Sequence, residues 1–483
     1  MDISAILALT AEQQINDLKS TKSVKTTDID ELKRQWNPKD HDVFNDTKRP
    51  DKKVRKATGE KDSEGKQIFT ETLEPVNRIG IPFQRIIVNR AVGFLLGNPV
   101  KIKRYIDEDN KSQEMLAKMV ETTIDDNKSV YFDRELARTL KRECECAELW
   151  YTVDDDKFWK KRLNNSQNVK FRLRVQLLSP GRGDKLFPTF DDTGDLVAFS
   201  REYQTKDGKD KVDHFDTWTE DLIIRRTRKK SEDWVIDQKQ NPFGKIPIIY
   251  YWQEEPDWYL VQPIIDRFES KISNFGDTND YFGSPMVKVK GVVKSMPDKT
   301  SSGKILRLDA NADASYMSWD QSPESEKLEF ELLEKMIYAM SQTPNISFDQ
   351  MKSMGGEMSG FAIKLLFTDA HLKVENDIEI FGEMFQRRLN LLLHILGRKI
   401  NTALESEVDN VFLEPVFTPF LPRNTKEDVE ILATARGNKP LISRETAAEN
   451  NPLVSDVQTE LERMQEDSDA ELAMMQKEIT GTF

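Results

Sequence analysis

The chain has 483 residues, with 71 Lys and Arg against 84 Asp and Glu, giving a formal charge of −13 with histidine neutral. Only 37% of residues are hydrophobic and 32% are charged, with a mean hydropathy of −0.63, so much of the chain stays hydrated or meets partners. Apolar runs fall short of the roughly 18 uninterrupted residues of a membrane span, and MDISAILALTAEQQ lacks a basic leader region; the expectation is a cytosolic chain of roughly two to four domains.

Residues 1–78 read as a polar arm. From Lys19 to Lys66 the residues Lys, Asp, Glu, Thr and Gly dominate, with the run KRPDKKVRK at 48–56, which predicts a mobile or partner-ordered segment. Residues 79–256 follow as an α+β unit. Phe83, Ile86, Ile87, Val92 and Leu95 fall near one helical face before Gly97, Asn98 and Pro99 end it. Helices are also expected at 114–124 and 132–146, the second carrying Cys144 and Cys146, which stand too close for an ordinary disulfide or a four-ligand metal site. Between 169 and 252, VKFRLRVQLL, LVAFSREYQ, VDHFDTWTE, LIIRRTR and KIPIIYYW are separated by turn signals such as DDTG and KDGK. Short connections predict an antiparallel meander, and helices that precede rather than alternate with it give the α+β class.

Beyond Pro256, Trp258, Val261, Ile265, Phe268, Ile272, Phe275 and Phe282 follow steps of three and four, with Asn279 at the vacant step. They predict a helix over 257–283 with a heptad seam, and Pro263 fits only in its first turn. A β-rich insertion at 284–324 contains VKVKGVV, KILRL and SYMSW and is too small to stabilise itself well. A returning helix at 325–345 carries Leu328, Leu332, Leu333, Met336 and Met340 on one stripe. A Met- and Gly-rich loop at 346–358 then opens the segment 359–423, whose long helix runs from Ser359 to Glu405. Val374, Ile378, Phe381, Phe385, Leu389, Leu392, Leu396 and Ile400 keep its rhythm, and Gly382 offers a place for a kink. The strand-like VFLEPVFTPF follows, and residues 424–483 form helices at 425–435 and 443–450 and an acidic helical end.

Catalytic signatures are missing. Gly59 to Lys66 spaces its glycines one residue too far apart for a phosphate loop. Asp51, Glu64 and Lys66, with Pro50 ahead, match a metal-dependent nuclease in residue type, but VRKATGEKDS between them has no apolar strand pattern to hold ligands rigidly. His41, His214, His371 and His394 show no ligand spacing, and neither Ser302 nor Ser359 sits in a nucleophile elbow. No enzyme activity, metal or cofactor is expected. The acidic balance argues against tight nucleic-acid binding; a small-oligomer scaffold or adaptor using its long helices is a second non-enzymatic reading.

The order of elements and several phrases resemble the portal (head-to-tail connector) proteins of tailed double-stranded DNA bacteriophages, particularly the long-tailed type. The carriers are IIVNRAVGFLLGNPVKI at 86–102, NPFGKIPIIYY at 241–251 and MSGFAIKLLF at 358–367, with PRNTKEDVEILATARG and ISRETAAENNPLVSDVQTELERM in the tail. The chain departs from the pattern around Glu148, in CAELWYTVD, where the family often has a Gly before its next strand. The resemblance implies a wing at 79–256, a stem at 257–283 and 325–345, a clip at 284–324, a tunnel loop at 346–358, a long wing helix with its returning strand at 359–423, and a crown at 424–483.

It also implies a homo-oligomeric ring, usually dodecameric, at one capsid vertex of the virion, assembled in the host cytoplasm. Double-stranded DNA passes through without sequence readout, pumped in by the terminase large subunit and later ejected. The major capsid, scaffolding and head-completion or adaptor proteins are the other partners, with no membrane. On this reading Met351, Lys352, Met354, Gly355, Gly356 and Met358 face the passing DNA. Lys288, Lys290, Lys294, Lys299, Lys304 and Arg307 dock the motor or an adaptor by electrostatic steering. Trp258, Val261, Ile265, Phe268, Ile272, Phe275 and Phe282 contact neighbouring subunits.

Overall fold

The computed structural model describes residues 3–107, 109–163, 169–208, 210–229, 232–282, 286–290, 293–295, 307–308, 313–317, 323–345, 365, 367–420, 425–437, 441–454 and 457–480. They form two compact units, Met1–Thr343 with Lys373–Thr418, and Pro344–Leu372 with Pro419–Phe483. Among the described residues no helix is long and apolar enough to cross a membrane.

The segment expected to be mobile or partner-ordered carries regular elements. Helices α1 (Ile3–Leu7), α2 (Ala11–Ser20) and α3 (Ile29–Trp36) come first, and the Asp28 side chain caps α3 by accepting from the Asp30 N–H. The arm is polar by composition, but its few apolar residues fall on one side: Ile15, Leu18 and Leu32 are buried. Ile6, Ile15 and Leu18 pack on Phe215 of a sheet some 200 residues later in the chain. The buried Arg226 of that sheet donates to Gln14 Oε1 at 3.0 Å, while Gln14 Nε2 donates to the Leu7 and Leu9 carbonyls. Next, β1 (Lys52–Lys61) and β2 (Gln67–Glu74) form an exposed antiparallel hairpin.

Helix α4 (Phe83–Leu96) buries Phe83, Ile87, Val92 and Leu95 as its spacing predicts. Then come β3 (Lys101–Tyr105), α5 (Lys111–Asp126), capped by Asn110, and α6 (Ser129–Glu143). The last ends at a left-handed residue, Cys144, with φ 63° and its N–H on the Leu140 carbonyl. Cys146 is therefore in a strand rather than on the expected helix. Both thiols are free and buried; burial pushes Cys144 up to about 12 and Cys146 well above the ordinary thiol value.

The expected meander divides between two antiparallel sheets. Strand β4 (Glu145–Asp154), followed by the short α7 (Phe158–Leu163), is flanked by β5 (Phe171–Leu178) and, much later, by the strand at Ile248–Trp252. Strands β6 (Lys185–Phe190), β7 (Leu196–Asp207), β8 (Asp210–Trp218), β9 (Leu222–Lys229) and β10 (Val235–Gln240) make the five-stranded sheet in sequence order, and Ile248–Trp252 is β11. The split follows from side-chain alternation. Leu186, Phe199 and Trp218 face Ala147, Leu178, Ile248 and Tyr250 of the three-stranded sheet, while Phe187 and Phe215 point to the other side, where α1 and α2 lie.

Helix α8 (Gln262–Phe282) leads to two short ladders. In these β12 (Met286–Lys290) pairs with β15 (Asp313–Met317), and β13 (Val293–Ser295) pairs with β14 (Arg307–Leu308). Helix α9 (Pro323–Met340) returns. The described part of the long helix is α10 (Thr368–His394), which runs through Gly382 without interruption. It does not continue as an α-helix to Glu405: Ile395–Ile400 is a π-turn, closed by the Asn401 N–H on the Leu396 carbonyl at 2.8 Å. Gly397 lies inside this turn, where a methyl group would overlap the Val408 side chain. The returning strand β16 (Phe412–Val416) pairs with β3.

In the second unit, α11 (Thr425–Ala435), α12 (Arg444–Glu449) and α13 (Val457–Thr480) enclose a groove of 510 Å³ lined by Leu432, Ala448 and Met464 among others. Ser443 caps α12 through the Thr446 N–H.

Leu18, with no exposed surface, tests whether the amino-terminal segment belongs to the core. Leu18→Ala is expected to cost about 2–5 kcal/mol in urea denaturation; a loss within about 0.5 kcal/mol, typical of a surface site, contradicts this packing.

Candidate functional site

The first part of the predicted seam, ahead of and along the start of α8, packs within the chain. Trp258, Val261 and Ile265 are essentially inaccessible. Trp258 Nε1 donates to Gln35 Oε1 at 2.7 Å and its ring meets Trp36. Phe268 stands edge-on to Phe83 and to Phe330 of α9, and Phe330 also meets Phe275 at 5.7 Å. The physical reason is the amino-terminal segment: α3 supplies a cover that its composition does not announce. Ile272 and Phe275 are half-buried, and the Phe282 side chain lies outside the described residues.

The stripe of α9 that reads as core is the exposed one. Leu328 is 67% exposed, Leu332 55%, Met336 38% and Met340 49%, four apolar residues at intervals of four on one helix face. Leu333, one position off the stripe, is half-buried.

Charge is gathered inside this unit in two clusters. In the first, Lys141 of α6 lies 3.1 Å from Asp257 and 2.7 Å from Asp377 of α10, and Lys373, one turn earlier on α10, reaches Asp257 at 3.0 Å and the Ser341 carbonyl at 3.2 Å. Burial opposes ionisation of Asp257, but Lys141 and Lys373 outweigh it and hold its carboxyl below the usual range. For Asp377 burial prevails over Lys141, the nearby Asp257 charge adds to it, and the pKa rises.

In the second cluster, Glu148 of β4 is wholly buried. Its carboxylate accepts from Arg388 Nε at 2.9 Å, Trp150 Nε1 at 3.0 Å and the Tyr251 hydroxyl at 2.6 Å. The Arg388 guanidinium also lies 2.8 Å from Asp133 of α6 and 4.0 Å over the Phe385 ring. One guanidinium thus faces two carboxylates. Burial, with Glu148 adding repulsion against the pull of Arg388, lifts Asp133 to about 6.

A third buried pair fastens the amino-terminal segment to α8. His41 Nδ1 lies 2.7 Å from Glu269 Oε1, and its Nε2 lies 2.8 Å from the Gln35 carbonyl. Both partners are acceptors, so both ring nitrogens donate and the ring is an imidazolium. Burial works against that charge, but the Glu269 hydrogen bond and charge overcome it and raise the pKa above 6.5. Further along α8, Asp277 accepts from Arg49 at 2.8 Å and from the Asn77 N–H at 2.7 Å, and Asp280 accepts from the Asn77 side chain. These bonds hold both ends of the β1–β2 hairpin to α8.

The nuclease-like residues are not brought together. Asp51, at the hairpin base, accepts from Arg78 at 3.0 Å. Glu64 sits in the turn beside Lys66, separated from Asp51 by a ten-residue strand, about 30 Å at roughly 3.3 Å per residue. Among the described residues no group of three or more His, Cys, Asp or Glu side chains could hold a metal. Lys288 and Lys290 share one face of β12, with Lys290 opposite Asp313; Lys294 lies on β13 and Arg307 on β14. Lys299 and Lys304 lie outside the described residues, as do Met351, Lys352, Met354, Gly355, Gly356 and Met358.

The family model described as phage portal protein, SPP1 Gp6-like, matches residues 16–473. Among solved structures, a chain from the virion of a native gene transfer agent particle aligns at 10% identity with a TM-score of 0.40, over 75% of this chain and 90% of that one. A chain from the neck of an empty gene transfer agent particle aligns at 9% identity with a TM-score of 0.39, over 75% and 87%. No curated protein matches the chain.

The Arg388 cluster has a signed pH consequence. Because the folded Asp133 pKa of about 6 exceeds the unfolded value of about 3.9, its contribution is full below pH about 4 and is lost as pH rises through 6. Asp133→Asn removes a buried charge that costs about 3 kcal/mol at pH 8. The variant is expected to be at least as stable as wild type at pH 8, with the advantage vanishing by pH 4; a large loss at pH 8 contradicts the assignment. Arg388→Met, which strands two buried carboxylates, is expected to cost about 3–5 kcal/mol in the same assay. For His41 the raised pKa means that its pairing is complete below about pH 6.5 and fades as pH rises through the folded value. His41→Gln is expected to flatten the decline in melting temperature from pH 6.5 to 9, and an unchanged slope contradicts the imidazolium.

Proposed function

The chain belongs to the SPP1 Gp6-like family of phage portal proteins, and from that membership we propose that it forms a closed ring of about a dozen copies at one capsid vertex. Portal proteins are structural, not enzymatic, and form oligomeric rings in the virion neck. In the proposed role double-stranded DNA enters through the ring's channel, driven by the terminase large subunit, and later leaves by it. The major capsid, scaffolding and head-completion proteins assemble around the same ring.

The family match over nearly the whole chain carries the reading, and two features support it. The exposed apolar stripe of α9 is the kind of surface that a soluble monomer rarely leaves in water, and a neighbouring subunit covers it. The acidic balance leaves a channel able to pass phosphates without holding them. The Met- and Gly-rich segment from Met351 to Met358 is assigned to the channel lining, where thioethers give soft contacts and Gly355 and Gly356 free the backbone. The basic β ladders around Lys288 and Lys290 are assigned to the motor or adaptor.

Leu328→Asp combined with Leu332→Asp is expected to shift sedimentation from a large ring to smaller species while the circular dichroism of the subunit is kept; an intact ring contradicts the stripe as a subunit contact. Lys288→Glu with Lys290→Glu is expected to keep the ring and weaken terminase binding and DNA packaging. Unchanged packaging removes the docking role from these lysines.

A further inference from the structure

Resting on the ring reading above, we propose that the β1–β2 hairpin is an inter-subunit arm that lies on the exposed α9 stripe of a second, neighbouring copy of this chain. A two-stranded hairpin is at best marginally stable alone in water. Here β2 is exposed from Gln67 to Leu73. Phe69 is 57% and Leu73 65% exposed, and both lie on the same hairpin face, opposite Ala57 and Lys53. Among the described residues, the same subunit holds the hairpin at its base, through Arg49 and Asn77 on Asp277 and Asp280.

The two surfaces complement each other in charge. The hairpin strands, KKVRKATGEK and QIFTETLE, together carry five basic residues and three acidic, whereas α9, PESEKLEFELLEKMIYAM, carries five acidic and two basic. They also stand at the same level of the stem. The hairpin base is held at Asp277 of α8, and Phe275 of the same turn touches Phe330 of α9, two residues from Leu328. A rotation about a ring axis along the stem preserves that level, so each hairpin meets its neighbour's stripe near Leu328. A closed ring is built from one heterologous interface repeated, which needs two different complementary surfaces on each copy. The basic, apolar hairpin and the acidic, apolar helix supply them.

The test is a covalent ladder. Phe69→Cys or Leu73→Cys is combined with Leu328→Cys in the full chain, where native Cys144 and Cys146 are buried, and assembled protein is treated with a short bismaleimide. Species from dimer upward on a denaturing gel are expected, with monomer alone from each single variant. In parallel, Phe69→Asp with Leu73→Asp is expected to lower the urea and salt concentrations at which the ring dissociates, leaving the subunit's thermal unfolding unchanged. If native mass spectrometry shows intact rings while both cysteine pairs give only monomer and the Asp variant dissociates like wild type, the arm is overturned and the ring reading stands. A wild-type chain that forms no ring overturns both.

Discussion

The long helix α10 can occupy only one position, because it carries charges that must meet partners in the dry interior. Arg388 lies between Glu148 of β4 and Asp133 of α6, and eleven residues earlier, about three turns, Asp377 meets Lys141 while Lys373 meets Asp257. Sliding the helix by one turn or rotating it would strand these groups in a medium where an uncompensated charge costs several kcal/mol. Such clusters add little net stability against a well-packed apolar alternative, but they specify register. Asp257 stands just ahead of α8, so the same helix that indexes the β4 sheet also fixes where α8 begins. His41 on Glu269 and the Arg49 and Asn77 bonds to Asp277 extend that control along α8.

With charge paired inside at these points, apolar surface is left exposed on α9 and on the β1–β2 hairpin. The α9 stripe and the β1–β2 hairpin are both poorly suited to a lone subunit in water. In a portal ring each subunit has two different neighbours, and surfaces that are liabilities for one copy become the interface of many.

Elements with a sustained period were legible from sequence alone: α4, α8, α9 and α10 lie where apolar spacing places them, and β5, β7, β8, β9 and β11 were read from alternation and turns, while β6 and β10 were not. The family resemblance, carried by the phrases at 86–102, 241–251 and 358–367, agrees with the family match. Partner choice was not legible. The polar composition of residues 19–66 hides that Gln35 and Trp36 of α3 meet Trp258 at the start of the seam, and composition does not reveal how few well-placed apolar residues are needed. The division into two sheets depends on β4 pairing with β11, a contact about a hundred residues apart that no local pattern encodes. The Arg388 cluster did leave a signal: a charge inside the stripe of Phe385, Leu389 and Leu392, with Glu148 set between Cys146, Ala147, Leu149 and Trp150. The π-turn at Ile395–Ile400 left only Gly397.

Native mass spectrometry of the purified wild-type chain, across a range of concentrations and with images of the same sample, tests the account most directly. A subunit of 55.9 kDa that leaves these surfaces exposed is predicted to appear as a closed ring of about a dozen copies with a central hole. A monomer or dimer that persists at high concentration, also in the presence of scaffolding and capsid partners, would contradict it.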